Sequence, residues 1–372
     1  MSFTFGIVLF FVGLLLVILI HELGHFTVAR AFGFKVEEYF VGFGPKLWST
    51  RRGEIEYGVK ALPLGGYVKI AGMNPYQPVP PEDLPRAYGS KPRWQRSLVI
   101  FAGPGVHLVI SAVLFGAYFY VSGDYATATP VVSEVVHELN GHVSPAWEAG
   151  LRVDDRIVGV GAIRTPNLQE LGTYTTEHVG DPVEFTVIRD GETMRFTITP
   201  EAATDAAGGT IGRVGIVLDA QDPGPVGPAT AATRGITEVG TAAAESVGQI
   251  GKVFGPEGIA RVTKLVFTDA ERRAEDPASV VGIGRAVGQT GAAGDWATIL
   301  YFLGFVTVFI GLVNLMPLPP FDGGHLAVLL IEKVRGKTID QRRVIPVAVA
   351  VMGFFIVFVA LTMIADLTKP AT

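Results

Sequence analysis

Four stretches of the 372-residue chain, residues 3–20, 98–121, 298–316 and 344–364, are predominantly apolar with no polar face. A helix rises 1.5 Å per residue and needs about 20 apolar residues to cross a hydrocarbon core, so each stretch is predicted to span a membrane. The first has no charged side chain before His21. It also lacks a basic n-region and a small-residue cleavage site, which disfavours a secretory signal peptide. Between the first two spans, alternation over 55–60 predicts strand structure. Between the second and third, residues 131–136, 144–158, 183–188 and 194–198 read as strand, short helix, strand and hairpin. Residues 236–254 form an Ala-rich, weakly amphipathic segment suited to the outer interface.

Composition agrees with a polytopic α-helical membrane protein. Hydrophobic residues make up 49% of the chain, charged ones 17%, and the mean hydropathy is +0.39, too apolar for a soluble domain of this length. Four spans place both termini on one side. Residues 28–97 are rich in Lys and Arg, and 326–343 add Lys333, Arg335, Lys337, Arg342 and Arg343, so both segments are predicted cytoplasmic. The acid-rich segment 122–295 and both termini are predicted outside. Asp222-Pro223-Gly224-Pro225 reads as a linker. Arg272 and Arg273 beside Glu271, Glu275 and Asp276 read as a solvated loop. The absence of cysteine excludes a thiolate metal site, so any zinc must take nitrogen and oxygen ligands.

His21-Glu22-Leu23-Gly24-His25 ends the first apolar run. Residues four apart share a helix face, so the two imidazoles can converge on one metal ion, while Glu22 on the next flank suits the general-base role of a metalloprotease. Ionisable groups at membrane depth cost about 2.5–3.5 kcal/mol each, and a divalent metal would offset that cost. Asp322 is the candidate third ligand. It follows Asn314 and the Pro-broken turn at Pro317, Pro319 and Pro320, irregular backbone tolerated at membrane depth only against protein or a water-filled cavity. Asp322 could equally cap the helix that starts near Gly323; the two roles are compatible. Asn314 is a candidate for positioning substrate backbone, or a local cap.

His-Glu-Leu-Gly-His on a first span, with Asn-x-x-Pro-x-Pro-x-x-Asp-Gly on a later one, resembles the site-2 protease family of intramembrane zinc metalloproteases. The resemblance implies one Zn2+ held by His21, His25 and Asp322, with Glu22 catalytic and Asn314 and Pro317 near substrate. Segments 43–47 and 63–70 resemble the family's membrane-dipping β-hairpin, implying that the edge at Gly65, Gly66 and Tyr67 receives an extended substrate; a hairpin lying on the cytoplasmic leaflet is the plainer alternative. Ala102-Gly103-Pro104-Gly105 resembles the family's small-residue helix contact. Residues 280–284 resemble its Gly-containing approach to the third span. Two positions depart from the usual pattern: His107 and Phe309 stand where many members carry Asn. His107 reads as a spare polar contact, a lineage feature or an unrecognised ligand.

Within the insert, the run from Ser144 to Ile157 resembles a PDZ domain of the bacterial protease type. Its groove is expected along Val131, Val132, Ser133, Glu134 and Val135, either binding peptide or serving as a size filter. The expected organisation is thus a first half of the membrane core (1–121), a PDZ-like α+β domain (125–205), an external linker and amphipathic segment (206–295) and a second half of the core (296–372). The function implied is zinc-dependent cleavage of single-span membrane substrates, such as anti-sigma factors or remnant signal peptides, in a bacterial cytoplasmic membrane. A site-1-type protease would act first, and no nucleic acid partner is expected. A membrane chaperone or a metal-binding transporter are the other classes; neither needs Glu22.

Overall fold

The computed structural model describes residues 3–123, 128–204, 210–221, 223–273, 276–292 and 294–369. Asp222 of the expected linker and Glu275 of the expected solvated loop lie outside them. Among the described residues, four helices are long and apolar enough to cross a membrane: Thr4–Ala31, Arg93–Ser122, Trp296–Asn314 and Gln341–Thr368.

The first helix, α1 (Phe3–Ala31), runs through the apolar stretch and the His-Glu sequence without a break, which puts His21 about 27 Å along its axis. It stops at Gly33, whose φ of +66° a residue with a Cβ rarely adopts. Phe34 N–H then donates to Ala29 O at 2.9 Å and Gly33 N–H to Arg30 O at 3.0 Å, satisfying the last carbonyls. This sharp stop turns the chain into β1 (Val36–Arg52), joined through Gly53 to β2 (Ile55–Ile70). Phe34, Val36, Ile55 and Ile70 bury against Phe26 and Ala29 of α1 and against Val99 and Ile100 of α2 (Arg93–Ser122). Residues 38–41 have partners on both sides, 66–69 and 56–59, whereas 66–70 pair with β1 alone. Phe43, Leu47, Trp48 and Leu62 of the ribbon are exposed, as suits a hairpin in contact with lipid.

The segment 119–230 forms a compact unit of its own. Its elements are β3 (Thr129–Val135), β4 (Glu138–Leu139), β5 (His142–Val143), α3 (Pro145–Ala149), β6 (Arg156–Val160), β7 (Ile163–Arg164), α4 (Leu168–Glu177), β8 (Val183–Arg189), β9 (Glu192–Ile198), β10 (Glu201–Thr204), β11 (Thr210–Arg213) and β12 (Ile216–Gln221). The main sheet has the order β12-β3-β6-β8-β9, with β7 on β6. Val132, Ile157, Phe185 and Val187 fill its core together with Leu171 of α4. Ser144 caps α3 through Trp147 N–H at 3.3 Å, and Asn167 with Glu170 closes a capping box on α4.

Two sequence expectations change here. The strand at Val131, Val132, Ser133, Glu134 and Val135 is not an open edge: β12 pairs along its length, and on the other side Val131 pairs with Arg156 while Val132 N–H donates to Asp155 O. The partner strand lies 80 residues later, where periodicity gave no sign of it, and it carries the sheet past the boundary expected at residue 205. The free edge on this side of the sheet is β12 itself.

Helices α5 (Pro228–Phe254), α6 (Pro256–Phe267), α7 (Val280–Ala292), α8 (Trp296–Asn314), α9 (Asp322–Arg335) and α10 (Ile345–Thr368) complete the first unit. Helix α5, which contains the Ala-rich segment 236–254, packs onto α2. Gly235 leaves no room for a Cβ against Ala112 O and Gly116, and Tyr301 of α8 donates to Glu238 at 2.7 Å. Arg272 and Asp276 are not solvated. Arg272 pairs at 2.5 Å with Asp366 of α10, whose carboxylate also accepts Ser279 N–H at 2.6 Å, and Asp276 takes two bonds from Arg261. Buried carboxylates demand such partners, and sequence alone cannot pair groups almost 100 residues apart.

Two outcomes follow for stability. Buried Glu332 on α9 joins Arg96 of α2 at 3.3 Å and accepts Ile339 N–H at 3.0 Å. Glu332→Ala should therefore cost about 3–5 kcal/mol in unfolding free energy in detergent, and Arg96→Met combined with Glu332→Leu should recover part of it. At the hairpin turn, Arg86 and then Lys35 hold the Glu54 carboxyl down to about 2. With the folded value below the ordinary one, this pairing contributes stability above about pH 4.5 and loses it as pH falls toward 2. Near-UV circular dichroism of the hairpin aromatics should show that acid step in the wild type and lose it in Glu54→Gln.

Candidate active site

Helix α1 presents His21 and His25 on one face toward α2. The approach is close because both helices are small at the contact: a Cβ on Gly24 would overlap Ala102 O, and one on Gly103 would overlap both imidazoles. His21 Nε2 and His25 Nε2 lie 3.1 Å apart, and Asp322 Oδ2 is 3.4 Å from the first and 3.3 Å from the second. Ligand bonds of about 2.0–2.1 Å in a tetrahedron give edges of about 3.3–3.4 Å, so these three atoms match one face of a zinc site with the fourth position open.

The far side of each ring sets what the near side can do. His25 Nδ1 lies 2.8 Å from Val99 O, and a carbonyl only accepts, so this nitrogen carries the hydrogen and Nε2 of the neutral ring keeps its lone pair. His21 Nδ1 lies 3.0 Å from His107 Nε2. The rings of His21, His25 and His107 are all buried. Two lone pairs and a carboxylate facing one another among apolar helices need a cation between them.

Asp322 reaches this point because α8 ends at Asn314 and the chain doubles back through Pro317, Pro319 and Pro320. Cβ atoms on Gly323 and Gly324 would overlap the backbone of Leu315 and Leu318, so the Asp-Gly-Gly sequence is what lets α9 start this tightly. The capping alternative is not realised: Phe321 occupies the N-cap, with no side-chain cap bond, and Asp322 in the first turn points at the imidazoles.

Glu22 sits beside the hairpin edge. Gly66 would place a Cβ 3.2 Å from Glu22 Cγ and 3.0 Å from Phe40 O, and Val68 offers the Glu22 carboxylate a backbone hydrogen bond. Of the expected substrate contacts, Gly66 is thus next to Glu22, whereas Gly65 faces Phe43 and Ile18. Tyr67 stacks on Phe40 at 5.7 Å and donates its hydroxyl to Glu38 at 2.5 Å. Asn314 closes α8 and Pro317 is exposed in the following turn; neither belongs to the His21, His25, Asp322 cluster. Sequence reasoning did not find Val99, a backbone group that no pattern marks. His107 left a signal, the departure from Asn within the Gly-Pro segment.

Comparison with known proteins agrees with this geometry. Residues 9–360 match the model of peptidase family M50. The zinc metalloprotease Rip1 of Mycolicibacterium smegmatis is 35% identical over 405 residues, covering 100% of this chain and 99% of that protein. Rip1 of Mycobacterium tuberculosis H37Rv is 35% identical over 410 residues, with the same coverage.

The cluster tolerates no bulk at its floor. Gly103→Ala should lower divalent-metal affinity by about 10–100-fold, as a displaced ligand shell does, while the helices still form; chelator competition and far-UV circular dichroism check this.

Proposed function

The chain belongs to peptidase family M50, the site-2 proteases, and on that premise we propose that it cuts peptide bonds inside the membrane-spanning segments of single-span proteins. It is a zinc metalloendopeptidase. The observation that carries the proposal is the cluster of His21, His25 and Asp322 on a span-length helix, with Glu22 against a strand edge.

When bound, zinc supplies a water acidic enough to ionise near neutrality and polarises the scissile carbonyl. The remaining work falls to side chains. His21, His25 and Asp322 hold the ion, and the burial of both imidazoles limits the access of bulk water to it. Glu22 takes the proton of the attacking water and delivers it to the departing amine, a role that needs a carboxylate on the flank next to the ligands. A transmembrane helix satisfies its own backbone groups and must unwind before its peptide bonds are accessible. The outer strand 66–70, paired on one side only, can take up the released backbone as an added strand and lay it beside Glu22.

The positive charges of 28–97 and 326–343 support a bacterial cytoplasmic-membrane protein with those segments inside and the 119–230 unit outside. That unit is read as PDZ-like, binding peptide or excluding substrates whose external domains a prior protease has not trimmed. Anti-sigma-like proteins and remnant signal peptides are the substrate classes proposed.

Glu22→Gln is the test. In lipid, with a panel of trimmed single-span substrates, the variant should lose at least about 10²-fold in cleavage rate while zinc content stays at the wild-type level. Equal cleavage by both proteins, or none by a zinc-loaded wild type, would overturn the proposal and favour a chaperone-like role.

A further inference from the structure

We propose that His107 is a positioning residue for the metal site: its Nε2 accepts the Nδ1 hydrogen of His21 and so fixes the tautomer in which His21 can bind zinc. This rests on the reading of His21 as a ligand.

The two nitrogens lie 3.0 Å apart, and one hydrogen is shared between them. If His107 donates, the hydrogen of neutral His21 must sit on its Nε2, in the space between His25 Nε2 and Asp322 Oδ2 that the ion needs. If His21 donates, its Nε2 is free. The two ligands are thus held differently: His25 by a backbone carbonyl that can only accept, His21 by a side chain that could do either.

The rest of the site holds His107 where this choice can be made. A Cβ on Gly311 of α8 would come within 2.8 Å of the His107 Cβ, so the neighbouring helix is kept bare to admit the ring. Ser111 Oγ donates at 2.7 Å to the His107 carbonyl and lies 3.1 Å from Gly304 O of α8, clamping this turn of α2 to α8. His107 is 1% exposed, and its Nδ1 has no hydrogen-bond partner among the described residues. A buried imidazole left half-satisfied is a net cost to the fold, which sets it apart from a spare packing contact.

Its distance from the ion position also separates it from the ligands. His107 presents Nε2 to the back of His21, and it stands outside the three atoms that converge.

Full-length protein in detergent should be compared as wild type, His107→Leu and His107→Gln, with zinc affinity read by competition with a chelator and the site geometry by the visible spectrum after cobalt substitution. The glutamine amide oxygen reaches about as far from the backbone as Nε2 and can accept the same hydrogen. His107→Leu should weaken zinc binding by about 10–100-fold and alter the cobalt bands, and His107→Gln should stay within about threefold of wild type with an unchanged spectrum. Leucine binding zinc as tightly as wild type would overturn the proposal, as would equal loss in a folded glutamine variant. If leucine does not fold, the glutamine variant alone decides. A wild type that binds no zinc would instead overturn the protease reading itself, which keeps the two failures distinct.

Discussion

Three ligand atoms, two imidazole nitrogens and a carboxylate oxygen, lie within 3.1–3.4 Å of one another inside a bundle of apolar helices. Without a cation that arrangement concentrates lone pairs in a medium that screens them poorly; with one it becomes a coordination shell. Much of the first unit reads as the means of imposing it. Gly24 and Gly103 bring α1 and α2 together, and Gly311 lets α8 close over His107. Gly323 and Gly324 let the chain turn sharply enough to aim Asp322. None of these glycines is used for a left-handed conformation; each is used for the absence of a Cβ.

A protease also needs its substrate backbone exposed beside the base. The same economy appears at the hairpin, where Gly66 lets a strand edge rest on Glu22. Helix, turn and strand thus each contribute one part of the site: α1 gives the two imidazoles and Glu22, the turn before α9 delivers the Asp322 carboxylate, and the ribbon gives an edge. The hairpin is anchored at its other end by Phe34, Val36, Ile55 and Ile70, so the edge is set by a packed core rather than by the site itself.

Local signals were legible in the sequence. Each of the four spans falls on a long helix because hydrocarbon thickness sets the apolar length needed, although α1 continues to Ala31, well past the first span's expected end at residue 20. His21, Glu22 and His25 follow from helical spacing, and the prolines after Asn314 marked the turn that delivers Asp322. What could not be read was pairing at long range. The strand 131–135, expected as the groove edge, is covered by Ile216–Gln221, and the seat of α5 on α2 at Gly235 has no local signature in the sequence. Arg272 and Asp366 are unremarkable charges until folding brings them to 2.5 Å. Val99 acts through a carbonyl, and only His107 betrayed itself, by standing where a different residue is usual.

The most direct measurement is zinc K-edge X-ray absorption on the purified, substrate-free protein, since multiple scattering counts imidazoles separately from oxygen donors. Two imidazoles with oxygen donors completing the shell at about 2.0–2.1 Å is the expected result. Three imidazoles would mean that His107 enters the shell instead of standing behind His21, and one would mean that the pair on α1 does not converge; either contradicts the site described above.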